Sequence, residues 1–235
     1  MNQETIVPQH VALILDGNRR WARAQGVNVI TGHRRSAENI EALLKRLRER
    51  GVNTTTLWVF STENWKRDQE QVLGIMKLAI EFLRMYRQRL IDDEVRVIHL
   101  GRNDRVPAEL LKDLTDLEAE TKHFTKSYLN IALDYGGRDE ILRAVERIQK
   151  AGVSASELTE ESFNSYLDTH DQPNPEPDLI IRSGGAHRMS GFMPWQAVYA
   201  EYAFTDKLFP DITEEDIDTF IDDFGQRERR FGGGK

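Results

Sequence analysis

No cysteine occurs anywhere in the 235-residue chain, which excludes disulfides, a thiolate nucleophile and zinc–thiolate sites. Nor is there an apolar run of about 18 residues, so the sequence predicts no membrane-spanning helix. The opening "MNQETIVPQ" lacks the basic start and apolar stretch of a secretory leader. An excess of positive charge is missing too: 39 acidic residues outnumber 32 basic ones, a formal net charge of −7. That balance argues against a nucleic-acid binder, and no aromatic platform recurs at regular spacing. Proline is sparse, 7 residues in all, and only "DQPNPEPD" (Asp171–Asp178) gathers it. We read that stretch as a surface loop inside a single domain over 1–235, since a linker there would leave Leu179–Lys235 too short for a good core. Residues 1–8 and 231–235 read as flexible ends. The expected location is cytoplasmic.

What is present is alternation. Short apolar segments at His10–Leu15, Thr54–Phe60, Glu94–Leu100, Ser127–Leu133 and Asp178–Arg182, with a weaker one at Tyr199–Phe204, read as strands. Between them Ser36–Arg50, Gln69–Ile91, Pro107–His123 and Asp139–Lys150 carry helical patterns. Strand-then-helix order predicts an α/β fold: a central, mostly parallel six-stranded sheet flanked by helices. Consecutive apolar residues, as in "VALIL", suit strands covered on both faces.

The ends of three predicted strands share a chemistry. "HVALILDGNRRWAR" (His10–Arg23) leaves an apolar strand directly into Asp16, Gly17, Asn18, Arg19, Arg20 and Arg23. Parallel sheets bind ligands beyond the carboxyl ends of their strands. Glycine there permits close backbone approach, arginine offers a forked donor to phosphate, and a single carboxylate suits magnesium shared with phosphate oxygens. A strand–turn–helix with a solvated basic first turn would use the same residues. The second end, "VFSTENWKR", brings Ser61, Thr62, Glu63, Asn64, Trp65 and Arg67; here a hydroxyl could equally cap the next helix. The third, "LIIRSGGAHRMS", brings Arg182, His187, Arg188, Met189 and Ser190. Repetition at three strand ends favours one shared anionic ligand. Familiar phosphate and metal signatures are absent: no GxxxxGK[ST], no GxGxxG, no HExxH among the six histidines, and no DDxxD after Asp92–Asp93 or Asp222–Asp223.

Taken in order, "HVALILDGNRRWAR", "GHRRSAENI", "LWVFSTENWKR", "LNIALDYGGRDEI", "DLIIRSGGAHRMSGFMPWQAVYAEYAFTDKLFPD" and "RERRFGGGK" closely resemble the cis-prenyltransferase family, and within it the bacterial undecaprenyl diphosphate synthases. The likeness runs from about His10 to Gly233. It implies a homodimer with a hydrophobic tunnel and magnesium as cofactor. It also implies addition of isopentenyl diphosphate to an allylic diphosphate such as farnesyl diphosphate, each new double bond being Z. By the same resemblance Asp16 is catalytic and a metal ligand, Asn64 matches a residue proposed as proton acceptor, and Glu201 matches a second metal carboxylate at or near the dimer interface. Gly17, Asn18, Arg19, Arg20, Trp21 and His33 match the allylic diphosphate site. Ser61, Thr62, Glu63, Trp65 and Arg67 match its binding neighbours. Arg182, Arg188, Met189 and Ser190 match the isopentenyl diphosphate site, and Arg229 and Arg230 match C-terminal arginines that approach the partner's site. Transient membrane contact for product release is a further implication.

The chain departs from the family pattern at Val29 (usually arginine), Ser36 (often glycine), Val59 (often alanine) and Ala186 (often glutamate). These positions bear on substrate affinity and product length rather than on reaction class. Gln69–Ile91 is apolar around more of its circumference than a helix on one core needs: it is either buried between sheet and neighbour or lines the tunnel. Two other readings stay open. One is a short- or medium-chain Z-prenyl diphosphate synthase; the other is a non-catalytic partner of the same fold.

Overall fold

The computed structural model describes residues 6–227. Six strands form one sheet in the order β3-β4-β2-β1-β5-β6: β1 His10–Ile14, β2 Thr54–Ser61, β3 Val95–Leu100, β4 Ser127–Tyr135, β5 Leu179–Arg182 and β6 Glu201–Phe204. All five neighbouring pairs are parallel. The sheet expected to be mostly parallel is parallel throughout, because every connection is a crossover and none is a hairpin.

Strand β1 sits where the winding reverses. On one side of it lie β2, β4 and the edge strand β3, and on the other β5 and β6. Ile14 is level with Trp58 of β2 and Arg182 of β5. The three strand ends singled out by sequence therefore stand side by side at the switch point, where α/β sheets form a crevice.

Side-chain alternation divides the core. Val11, Leu13, Leu57, Leu129, Leu179 and Ile181 point to one face, under Leu43, Leu44 and Leu47 of α2 (Val29–Glu49) and Ile217, Ile221 and Phe224 of α7 (Glu214–Gly225). Ala12, Ile14, Ala132 and Ile180 point to the other, beneath Phe192, Met193 and Ala197. Phe60 and Leu133 meet Val72, Ile75 and Met76 of α3 (Gln69–Asp92) and Leu110 and Leu114 of α4 (Ala108–Thr121). Helix α5 spans Gly137–Lys150 and the short α6 Glu160–Asn164.

Helices α1 (Asn18–Ala24), α6 and α7 and the first turns of α2 lie outside the four helical patterns read from the sequence, α1 having been open there only as the alternative strand–turn–helix. Helix α1 buries only Ala22, so it has no apolar period to read. Helix α2 starts seven residues before the predicted Ser36, capped by Asn28, whose side chain accepts from the Ile30 amide at 2.8 Å. Helix α7 is acidic, but Ile217, Ile221 and Phe224 hold a helical spacing behind a Thr213/Asp216 capping box. At the amino end, Val7 packs against the first core cluster.

Candidate active site

The β1 end is held before its side chains act. The Asp16 backbone donates to Ser183 Oγ at 3.1 Å, and its carbonyl accepts from the same hydroxyl at 2.7 Å and from the Phe209 amide at 3.0 Å. Gly17 then turns at φ 111°, a left-handed conformation that favours glycine, and a Cβ there would lie 2.9 Å from Leu208 Cδ2. That turn starts α1 and presents Asn18, Arg19, Arg20 and Arg23 in succession. Gly32 is needed for contact rather than for conformation: its Cβ would stand 2.3 Å from the Asn18 carbonyl oxygen. Helix α2 thus crosses α1 closely enough to place His33 beside Asn18.

Those contacts fix a protonation state. Ser36 Oγ donates to Asn18 Oδ1 at 2.5 Å, so Asn18 Nδ2 faces His33 Nδ1 at 3.2 Å and donates to it. The His33 proton must then sit on Nε2, which is buried without a partner. Burial first, then the positive charges of Arg67 and Arg19, lower the His33 pKa to about 4. His33 is thus a neutral imidazole in the lining of both cavities. Ser36, a departure from the family pattern, supplies the hydrogen bond that orients Asn18.

The Asp16 carboxylate joins two strand ends. Its Oδ2 accepts from Arg182 Nη2 at 3.0 Å and its Oδ1 from Arg20 Nη2 at 3.2 Å. Arg182 is 5% exposed; its Nη1 donates to Ser190 Oγ at 2.7 Å and to the Arg188 carbonyl. One buried guanidinium therefore ties the β1 carboxylate to the loop carrying Arg188, Met189 and Ser190. Its Nε has no partner among the described residues.

At the β2 end, Asn64 Oδ1 accepts the Ser61 amide hydrogen at 3.2 Å and closes a capping box over Thr62–Lys66. Trp65 donates from Nε1 to Asp134 Oδ1 at 2.8 Å, and Arg105 grips the same carboxylate from its Nε at 2.9 Å and from its Nη2 at 2.5 Å. Asp134 is fully buried at φ 52°. This clamp holds the Asn64 turn against β4, and Thr62 packs on Gly136. Sequence reading missed the clamp: Asp134 and Arg105 are 29 residues apart and meet only through the sheet.

Two adjoining cavities result. The smaller, about 380 Å³, is lined by Asp16, Gly17, Asn18, Arg19, Arg20, Arg23, His33, Arg67 and Leu15. Asp16 is its only carboxylate. Arg19, Arg23 and Arg67 form no ion pair among the described residues, and burial, then Arg19, lowers the Arg67 pKa. The larger, about 530 Å³, shares Asp16, Asn18, His33 and Arg67, adds Ser61, Glu63, Asn64, Arg182 and Ser190, and continues between α2 and α3 along Ile40, Leu44, Leu78, Phe82 and Leu83. The α3 face is thus divided. Ile75, Leu78, Ala79, Phe82 and Leu83 line the cavity, Val72 and Met76 pack in the core, and Leu73 and Met85 are exposed.

Several predicted site residues stand outside both cavities. Trp21 donates to Asp211 Oδ1 at 2.8 Å and ties α1 to the Phe209–Asp211 turn. Thr62, Trp65 and Met189 support the walls, Met189 by packing against the second core cluster, and Arg188 is exposed beside them, its carbonyl accepting from Arg182. Glu201 lies level with Leu179 on β6 and pairs with Arg227 at 2.8 Å. It is three residues back from the level of Arg182, about 10 Å along the strand, so it and Asp16 do not converge within one chain. Arg229 and Arg230 lie outside the described residues.

Comparison with known proteins agrees with this geometry. The prenyltransferase family model described as "Putative undecaprenyl diphosphate synthase" matches residues 14–232. An isoprenyl transferase of Thermotoga maritima is 45% identical over 229 residues, 97% of each chain, and one of Aquifex aeolicus is 43% identical over 226 residues, 96% of each. Among solved structures, lavandulyl diphosphate synthase from Lavandula x intermedia in complex with dimethylallyl diphosphate superposes with a TM-score of 0.92 at 31% identity, covering 96% of this chain and 98% of that one. A probable undecaprenyl diphosphate synthase of Campylobacter jejuni gives 0.80 at 31% identity, over 99% and 100%. With cationic strand ends opening into an apolar cleft and relatives matched almost end to end, the chain belongs to the undecaprenyl diphosphate synthase family of isoprenyl transferases.

Proposed function

We propose that the protein condenses isopentenyl diphosphate onto an allylic diphosphate, farnesyl diphosphate first, and repeats the step with Z geometry. The product is a long polyprenyl diphosphate of the undecaprenyl type, a lipid-carrier precursor for cell-wall glycan synthesis. One observation carries this reading: a cationic pocket suited to a leaving diphosphate adjoins a 530 Å³ cavity walled along α2 and α3 by Ile40, Leu44, Leu78, Phe82 and Leu83. A phosphate-binding regulator has no use for that wall. The reaction belongs in the cytoplasm, where both diphosphates dissolve.

Each chemical demand meets a residue. Charge develops on the allylic diphosphate as its C–O bond breaks, and Arg19, Arg20, Arg67 and the Nε2–H of His33 are preorganised donors to it. Arg182, Arg188 and Ser190 hold the second diphosphate alongside. Magnesium fits the donor set only in part. Among the described residues no three His, Cys, Asp or Glu side chains converge, so Asp16 would hold the ion while substrate oxygens and water complete its shell. Bound there, magnesium would supply further neutralisation of the leaving group. Asn64 spends its amide oxygen on the Ser61 cap, so we assign it to orienting the alkene. Glu63, on the same wall, and the departing pyrophosphate oxygens are the stronger bases for the proton lost from the new chain.

We assign the outer face of β6 to a second copy of this chain. It is an edge strand, and Val198, Tyr199 and Phe204 are exposed on it or beside it. Glu201 would serve a metal only across that interface. Exposed Leu73 and Met85 on α3 suit transient contact with a bilayer during product release; no helix among the described residues is long and apolar enough to cross one.

The test is incubation with radiolabelled isopentenyl diphosphate, magnesium and a panel of allylic primers, followed by extraction and sizing. Long Z-polyprenyl diphosphate is expected. A product stopping after a few additions would favour the short- or medium-chain reading, and no labelled lipid from any primer would overturn the enzyme reading for the binding one.

A further inference from the structure

The apolar cavity ends in charge. Along α2 its wall is the stripe His33, Ser36, Ala37, Ile40, Glu41, Leu44, Lys45, Arg48, one face of the helix at the i, i+3, i+4 spacing. His33 to Arg48 is fifteen residues of helix, or about 22 Å. Both α2 and α3 run from the carboxyl edge of the sheet to its amino edge, so the two ends of the cavity are opposite ends of the molecule. The far end is lined by Glu41, Lys45, Arg48, Arg89 and Asp93.

This cluster differs from the mouth in one decisive respect. Arg48 Nη2 pairs with Asp93 Oδ2 at 2.8 Å, Arg89 pairs with Glu41, and Lys45 lies 3.7 Å from Glu49. Each of these cations meets a carboxylate, Glu49 being shared with Arg46, so the far end presents little net charge to an anion and is not a second diphosphate site. The Arg48–Asp93 pair joins the last turn of α2 to the residue that caps α3. Its side chains are 27% and 40% exposed, half in the cavity wall and half in solvent.

We propose that this ring of ion pairs, Arg48–Asp93 foremost, is the stop that sets product length. The inference rests on the prenyl-transfer reading above. Every isoprene unit that slides along the apolar stretch gains by leaving water. A chain end that reaches the ring must strip water from paired charges or separate them, and desolvating an ion pair opposes insertion. Growth therefore halts where the wall changes from Leu44 and Leu90 to Arg48 and Asp93. The stop acts through charge, whereas a packed side chain would act through bulk.

Charge and bulk are separable by substitution. The double variant R48M/D93N removes both charges. R48K shortens the same side chain but keeps its charge. Products of the wild type and both variants are sized after reaction with farnesyl diphosphate and isopentenyl diphosphate, and each fold is checked by thermal melting. The expected result is a main product longer by at least one isoprene unit from R48M/D93N and an unchanged product from R48K. If R48M/D93N misfolds, R48Q/D93N, which likewise carries neither charge, is measured, with the same lengthening expected. Wild-type length from the neutral variants, or equal lengthening from R48K, would overturn the charged stop while leaving the enzymatic reading intact. Absence of any prenyl product from the wild type would overturn both.

Discussion

Arginine does two different jobs in this molecule. Arg46 and Arg50 reach from α2 to Asp218 of α7, each at 2.8 Å or closer, and Arg50 also meets Asp222. Arg143 and Arg147 grip Asp168. Their partners show it: hydrogen bonds from Arg46 and Arg50 hold the Asp218 carboxyl down at about 2. Arg19, Arg23 and Arg67 form no ion pair among the described residues, and Arg67 is pushed down by burial and by its neighbour Arg19. Folding alone would not gather such cations, since like charges on one helix face repel. Paired arginines hold elements together; uncompensated arginines at a strand end mark where an anion is expected.

That contrast is most exposed to failure at Asp16, the one carboxylate in the cationic pocket. Asp16→Ala is expected to lower turnover by at least ~10²–10³, the loss typical of one preorganised electrostatic contact. Near-normal product formation would break the comparison. Next in size, Arg67→Ala removes a charged hydrogen bond worth about 1.5–3 kcal/mol, so KM for the allylic primer should rise by about 10- to 100-fold. Arg46→Ala should leave the kinetics unchanged and lower the urea unfolding midpoint only slightly. Equal kinetic effects from the two substitutions would mean that pairing does not distinguish the roles.

Smaller effects come from the buried histidines. His10 and His33 both titrate near 4 in the folded chain, lowered chiefly by burial, against about 6.5 when unfolded. Between those values the unfolded chain binds more protons. Stability should therefore be flat above pH 7 and fall as pH drops from about 6.5 to 4. Urea midpoints across that range test this, and His33→Gln should flatten part of the slope.

Six strands were legible because each is a compact apolar run, and their parallel order followed from the helices between them. The site was legible as three strand ends rich in arginine and hydroxyl groups. What sequence could not show was how one guanidinium serves two ends at once, since Arg182 meets Asp16 across 166 residues. It could not show that Ser36 orients Asn18, or that Trp21 faces Asp211, because such choices depend on the angle at which α1 crosses α2. The α3 pattern left two readings open, core or tunnel wall; in the structure one face of the helix packs and the next lines a cavity.

The most direct measurement is a crystal structure with magnesium and a non-reactive allylic diphosphate analogue. The diphosphate should lie among Arg19, Arg67 and His33, with the metal on Asp16 and the hydrocarbon tail between α2 and α3 against Leu78 and Phe82. An analogue lodged elsewhere, with Asp16 still clasped by Arg20 and Arg182, would contradict the account.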